Sequence, residues 1–411
     1  MTADAALADV VRQEWGSLIA LLLARFRRLD LVEDALADAV EAAARRWPVD
    51  GVPDNPAGWL HTTARNRILD RLRAEAMARR RHALVATDLD REQRHPSAAP
   101  DTGAGDDVLR LVLMCTHPAL SPPAASALAL RLVLGVSTAD IARLFLVSES
   151  TMAARLTRAR KKIVAAAIPF AVPGEEALAE RLETVAQTTY LAFTAGYAPA
   201  SGSDLLRAEL AGEAVRLARL TQALQPRDPT LIALRALVLL QHSRRDARVR
   251  DGALVLLADQ DRTLWRHEEI EEALVLLTNE IFTRPLPAPA AAYLLQARIA
   301  AEHANAATAE QTRWDRIVGH YDMLLQLESS PAAQLARAVA VAEDQGPAAG
   351  LAAVDQIDLR GSHRVAAVRA ELLVRSGRTA EAAAAFDTAI SLCANTAERV
   401  HLTSRRARLR E

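Results

Sequence analysis

Residues 137–163 read STADIARLFLVSESTMAARLTRARKKI, two short amphipathic segments divided by a polar break. Ser137-Thr138-Ala139-Asp140 has the form of a capping box, with Asp140 a shorter substitute for the usual Glu, and it opens a short helix from Thr138 to Phe145. Leu146-Val147 is a tight connection, after which Ser148 caps a second helix expected to run to about Val164. Ile141, Leu144, Val147 and Met152 are placed to form the small core that fixes the angle between the two helices, and Leu156 and Ile163 continue the apolar stripe. The opposite face carries Glu149, Ser150, Thr151, Ala154, Arg155 and Arg158, with Arg160, Lys161 and Lys162 beyond. From Arg155 to Lys162 there are five positive charges and no acid. A lone basic helix reads as a solvated face whose cations complement its C-terminal dipole. Joined to a capped helix by a three-residue turn, it reads as a helix-turn-helix whose second helix enters a DNA major groove, N-terminal residues toward base edges and basic residues toward phosphates.

Outward from this motif the chain is helical in both directions. Leu18, Leu21, Leu22 and Phe26 recur at helical spacing, as do Leu178, Leu182, Val185 and Phe193, and strand-like alternation is nearly absent. The fold class is all-α. Upstream, Ser121-Pro122-Pro123 opens a helix that Gly135 closes, and Pro169 and Pro173 end the block. Residues 82–107 hold two basic and six acidic residues among Pro, Gly and Ser, and read as a flexible acidic linker.

The first eighty-one residues form another helical unit, interrupted at Trp47-Pro48-Val49-Asp50-Gly51-Val52-Pro53-Asp54-Asn55-Pro56, which reads as a loop. Asn55 before Pro56 caps the helix that follows. From Trp59 to Arg81 that helix carries Arg65, Arg67, Arg71, Arg73, Arg79, Arg80 and Arg81 against Asp70 and Glu75. A basic helix beside a Pro-rich loop and two tryptophans suits a nucleic-acid strand with unstacked bases, arginines tracking the phosphates while aromatics and loop backbone receive a base. The plainer reading of Trp47 and Trp59 is that they are core residues anchoring the loop. The helix before it combines an acidic face (Glu33, Asp34, Asp38, Glu41) with an apolar one (Leu31, Ala35, Leu36, Ala39, Val40). Such a face is either simply solvated or gripped by the arginines of a protein partner.

From about residue 171 to 411 the chain reads as a succession of helices with short loops. Ala370, Gly377, Ala382, Phe386 and Ala389 sit where a tetratricopeptide helix pair wants small residues, a turn glycine and an aromatic knob. A looser copy runs through Ala338, Gly346 and Leu351, and residues 243–262 are an insertion too charged for a core helix.

Composition excludes several function classes. The 411 residues carry 50 basic and 51 acidic side chains, but residues 1–170 alone hold 23 and 20, so the mild positive charge lies at the N-terminal end. All but two of the basic residues are arginine or, put the other way, Lys161 and Lys162 are the only lysines. Cys115 and Cys393 match no zinc spacing and fit a reducing compartment. With no basic leader and no long apolar run, the expected location is the cytoplasm. There is no phosphate-binding glycine loop, nucleophile elbow or His-Glu-x-x-His pattern, and His61, His82, His117 and His303 read as surface or helix-end residues. No catalytic residue, cofactor or metal is expected, and the chain is not expected to be an enzyme.

Taken together these residues resemble an extracytoplasmic-function (group 4) sigma factor of the sigma-70 family. Glu33-Asp34 through Trp47 resembles its region 2.2, Asn55-Pro56-Ala57-Gly58-Trp59-Leu60 with Ala64-Arg65-Asn66-Arg67 resembles regions 2.3 and 2.4, and Ser137 to Lys162 resembles region 4.2. Ile168-Pro169-Phe170-Ala171-Val172-Pro173, Tyr190-Leu191-Ala192-Phe193 and residues 256–265 are similar to stretches of a subgroup with a tetratricopeptide-like extension. The family often has Gln-Glu where this chain has Ala37-Asp38, and the subgroup's Asn-Glu-Gly-Tyr stands here as Thr194-Ala195-Gly196-Tyr197.

The resemblance implies a region 2 domain over 1–81, a linker over 82–107, a region 4 domain over 108–170 and a helical extension over 171–411. It implies core RNA polymerase as partner, through the β′ clamp helices and the β flap, together with duplex promoter DNA and a melted −10 strand. Glu33, Asp34, Asp38 and Glu41 would dock on polymerase. Asp50, Val52, Trp59, Arg65, Asn66, Arg67, Arg71 and Arg73 would hold the −10 element. Ser148, Glu149, Ser150, Thr151, Ala154, Arg155, Arg158, Lys161 and Lys162 would read the −35 element. The extension would regulate activity or contact a regulatory protein, with no role for a membrane. The rival is a one-component helix-turn-helix regulator with a sensory repeat domain, which leaves the first eighty residues without a task. A purely protein-binding scaffold leaves the Arg155–Lys162 cluster unexplained.

Overall fold

The computed structural model describes residues 3–83, 104–145, 147–197, 208–250, 253–328, 330–357, 361–393 and 396–410, and within these no side chain is described at 79–83, 104–105, 143–144, 195–197, 208–210, 253–254, 396–397 or 410. The greater part of the linker expected at 82–107 lies outside the described residues, as do Leu146 and the side chains of Arg79, Arg80, Arg81 and Leu144. The chain forms two compact units, Met1–Thr188 and Thr189–Glu411. Both are built of helices, and no helix among the described residues is long and apolar enough to cross a membrane.

In the first unit, α1 (Ala3–Phe26), α2 (Leu29–Asp50) and α3 (Pro56–Ala83) form one bundle, followed by α4 (Ala104–Cys115), α5 (Pro122–Leu132), α6 (Thr138–Leu144), α7 (Glu149–Ala165) and the start of α8 (Glu175–Tyr197). The expected loop at 47–56 is shorter than the sequence suggests, because α2 continues through Pro48 to Asp50. Proline removes one amide donor, a small loss in a final turn, and the turn is closed by Gly51, whose N–H donates to the Trp47 carbonyl at 3.1 Å with φ +88°. Asn55 caps α3 as expected, accepting from the Gly58 N–H at 2.8 Å.

The N-terminal bundle and the helix-turn-helix block do not stand apart; α1 packs along α4 and reaches α5. Trp15 is the centre of this contact. Its indole N–H donates to the Arg131 carbonyl at 3.1 Å, and the Arg131 guanidinium lies 5.5 Å from the ring centroid. Two glycines permit the approach. A Cβ at Gly16 would sit 2.4 Å from the Val133 carbonyl oxygen, and one at Gly135 (φ +73°) would sit 2.7 Å from the Trp15 ring.

In the second unit, α9 (Ala208–Leu224), α10 (Pro229–His242), α11 (His267–Leu277), α12 (Ala288–Asn305) and α13 (Trp314–Leu327) pack in succession. They are followed by the hairpins α14 (Pro331–Gln345)–α15 (Pro347–Asp355) and α16 (His363–Arg375)–α17 (Thr379–Leu392), then α18 (Thr396–Ala407). The expected packing residues Ala370, Ala382, Phe386 and Ala389 are all fully buried in one cluster, and Gly377 (φ +72°) makes the turn between α16 and α17. Among the described residues the 243–262 insertion contains no α-helix; it holds short 3-10 turns and an antiparallel strand pair, β1 (Val249–Arg250) against β2 (Ala253–Leu254). At its edges half-buried carboxylates each gather two partners: Glu269 lies 3.0 Å from His242 Nδ1 and accepts from Arg245 at 2.9 Å, while Glu272 accepts from Arg219 and Arg235 at 2.6 Å each. His303, at the end of α12, is pushed down to about 4 by burial and by nearby Arg244 and Arg262, so its ring is neutral.

Candidate nucleic-acid interface

The helix-turn-helix is built from its caps outward. The Ser137 hydroxyl accepts the Asp140 N–H at 3.0 Å and donates to the Asp140 carboxylate at 2.7 Å. Ser148 has extended backbone (φ −66°, ψ 152°), accepts the Thr151 N–H at 3.2 Å, and shares hydroxyl contacts with Ser150 at 3.0 Å and Thr151 at 2.8 Å. Ser148→Ala should therefore loosen the first turn of α7 by about 1 kcal/mol, read as lost amide-exchange protection at Thr151 and Met152. Unaltered protection there would show that the hydroxyl network does not hold this turn.

Met152, Leu156, Ala159 and Ile163 form the buried stripe of α7, facing a core that includes Ile141. Glu149, Ser150, Thr151, Ala154, Arg158, Lys161 and Lys162 are exposed. Positions 151, 154, 158, 161 and 162 lie on one side of the helix, so hydroxyls at its start and cations at its end present a single face. Arg155 is half-buried, its guanidinium 6.0 Å from the Phe145 ring centroid, which holds it at the edge of that face.

Arg160 departs from the expected cationic run. It turns inward and pairs with Glu33 Oε2 at 2.5 Å, while Arg131 from α5 pairs with Glu33 Oε1 at 2.7 Å. Glu33 is only 6% exposed, so it is not part of an exposed acidic face. The reason is its register: Glu33 lies four residues after buried Leu29 and three before buried Leu36, on the apolar side of α2. Its charge is matched by two arginines from the helix-turn-helix block. Cys115 lies close to this pair, and its thiol is pushed up by burial first and by the Glu33 carboxylate second, which keeps it protonated.

The remaining candidates of the first bundle are brought together in an unexpected way. Arg71 bonds Asp38 at 2.9 Å and Asp34 at 3.4 Å, and Arg67 bonds Asp38 at 3.0 Å. Two acids assigned to one partner and two arginines assigned to another thus face each other across α2 and α3, each pair four residues apart. Arg73 pairs with Asp70 at 3.0 Å, and exposed Glu41 pairs with Arg45. All these groups are at least one-third exposed, where an ion pair contributes about 0–1 kcal/mol, so an incoming phosphate or arginine displaces them at little cost. Asp50, Val52 and Asn66 are exposed, and Arg65 is half-buried. Near it, burial and the charges of Arg65 and Arg25 hold the His61 ring below its ordinary pKa. Trp47 is 3% exposed and meets half-buried Trp59 edge-to-face at 5.7 Å, which makes Trp47 a core residue.

Comparison with known proteins gives matches across most of the chain. Residues 10–77 match sigma-70 region 2, and residues 110–163 match sigma-70 region 4. Residues 181–281 match a family of unknown function, DUF6596. Over 407 residues the chain is 42% identical to the uncharacterized protein R00370 of Rhizobium meliloti (strain 1021), covering 97% of this chain and 94% of that one.

Proposed function

Because the chain belongs to the sigma-70 family, with its region 2 and region 4 domains, we propose that it is an extracytoplasmic-function sigma factor whose two domains take separate promoter elements while bound to core RNA polymerase. The exposed face of α7 reads the −35 duplex: Ser148 to Thr151 and Ala154 lie toward base edges, and Arg155, Arg158, Lys161 and Lys162 meet phosphates. The loop after α2, with Asp50 and Val52, and the face of α3 bearing Trp59, Arg65 and Asn66 hold the −10 strand. Asp34 and Asp38 dock on the β′ clamp helices, releasing Arg67 and Arg71 for phosphates in the same event, while Arg73 and Glu41 lie at the margins. Region 4 meets the β flap. The helical second unit regulates this activity. The observation that carries the reading is the capped α6–α7 pair with an unshielded hydroxyl-and-cation face inside a region 4 match.

Elements centred at −10 and −35 are about 25 base pairs apart, or roughly 85 Å along the duplex. A compact body the size of the first unit has a radius of gyration of roughly 16 Å. The two domains therefore part when the promoter is engaged, and the Glu33 cluster is what they leave behind.

In vitro transcription with bacterial core polymerase on genomic promoter fragments tests the proposal, using the intact chain and a form ending after residue 173. The intact chain is expected to bind core and direct initiation at discrete start sites, and the shorter form to do so with altered regulation. Failure to bind core would overturn the assignment. A mobility shift of duplex DNA that needs no polymerase would favour the one-component regulator instead.

A further inference from the structure

Three helix ends in the second unit gather side chains that the sequence keeps far apart. His363 is the first residue of α16, Cys393 closes α17, and Glu398 lies in the first turn of α18. One donor atom from each lies within 4.8 Å of the other two. His363 Nε2 is 2.9 Å from Glu398 Oε2, and Cys393 Sγ is 3.9 Å from the same oxygen. The sulfur is buried, whereas the imidazole and carboxylate are half-buried.

We propose that His363, Cys393 and Glu398 bind a divalent transition-metal ion of the zinc type. Tetrahedral zinc, with bonds of about 2.0–2.3 Å to nitrogen, oxygen and sulfur, sets neighbouring donors roughly 3.3–3.8 Å apart. The two separations to Glu398 Oε2, 2.9 Å and 3.9 Å, fall on either side of that range, and all three donors lie within 4.8 Å of one another, so a modest closing of the side chains admits the ion. The donor set chooses the metal. A thiolate and an imidazole favour zinc, cobalt or iron over magnesium and calcium, which demand oxygen. Thiolate and carboxylate together supply two negative charges for a dication.

The other carboxylate oxygen of Glu398 lies 3.9 Å from the exposed Arg364 guanidinium. A His363–Glu398 contact by itself is a half-buried hydrogen bond; the buried sulfur against the same oxygen is what makes a three-donor set. Among the described residues three protein donors converge, and a tetrahedral ion takes a fourth ligand beside them.

Such an ion joins α16, α17 and α18 at one point. α18 is otherwise tied back by Arg405–Glu371 at 2.5 Å and Arg406–Asp387 at 3.0 Å, and it packs against β2. Occupancy would fix the last helix of the array and, through it, the 243–262 insertion.

The test uses the untagged full chain, reduced, stripped with a chelator and titrated with Co²⁺. The expected result is uptake of one equivalent, with a near-ultraviolet thiolate-to-cobalt charge-transfer band and visible ligand-field bands, both removed by added Zn²⁺. Cys393→Ser should abolish the charge-transfer band, and His363→Gln and Glu398→Gln should each weaken binding at least about tenfold. Cys115→Ser should change nothing. Absence of the band in the parent chain, or unchanged uptake in the Cys393 and His363 variants, would overturn the site. Should Cys393→Ser fail to fold, the partly exposed His363→Gln and Glu398→Gln variants decide. None of these readings depends on transcription.

Discussion

Replacing Glu33 with alanine should open the first unit. The variant leaves Arg131 and Arg160 facing each other with no counter-charge at a carboxylate position that is 6% exposed. Removing one partner of a buried ion pair costs about 3–5 kcal/mol, and because both arginines keep some contact with water the lower end applies here. The loss falls on the contact between α1–α2 and α4–α7, where Glu33 of α2 meets Arg131 of α5 and Arg160 of α7. Amide exchange should show it as protection lost along the facing sides of α5 and α7, with α3 spared, and sedimentation or small-angle scattering should show a larger body. For a sigma factor the same change removes part of the work of parting the two domains, so the variant should engage promoter DNA at lower polymerase concentration. Parental exchange protection and dimensions in the Glu33→Ala chain would show that the cluster does not hold the domains together.

The second large effect belongs to the α7 face. Arg158, Lys161 and Lys162 are exposed, so Arg158→Gln, Lys161→Gln and Lys162→Gln together should leave the fold intact. Each phosphate contact contributes about 0.9 to the slope of log affinity against log salt, so the triple variant should flatten that slope by roughly 3 units for −35 duplex binding. Promoter-specific transcription should fall by orders of magnitude at moderate salt while core binding persists. Equal loss of both activities would point to misfolding, and an unchanged slope would remove these residues from the interface. Arg155 is left out of the set because its stacking on Phe145 gives it a packing role as well.

The features legible in the sequence were those written in local chemistry. Ser137, Ser148 and Asn55 sit within three residues of the amides they cap, so their spacing alone locates three helix starts. Gly377 and the small residues around Phe386 likewise mark a helix hairpin whose partners are neighbours in sequence. What escaped was long-range charge pairing. Glu33 finds Arg131 and Arg160 across 98 and 127 positions, and no periodicity announces a partner that distant. The usable signal was negative: an acid on the Leu29–Leu36 side of a helix has to be neutralised by something. Asp34 and Asp38 belong to one helix face and Arg67 and Arg71 to another, and only folding makes the two faces oppose. His363, Cys393 and Glu398 were invisible for the same reason. Pro48 misled in the opposite direction, since a proline that breaks a helix interior is tolerated in its closing turn.

The only two lysines of this chain stand side by side near the end of α7, both open to solvent. Apart from the chain's first amino group, every aliphatic amine therefore belongs to one address at the foot of the same helix. An acylating reagent or an amine-seeking cross-linker writes its mark there, and shielding of that mark reports when the helix is covered, in the unaltered protein and without a reporter group.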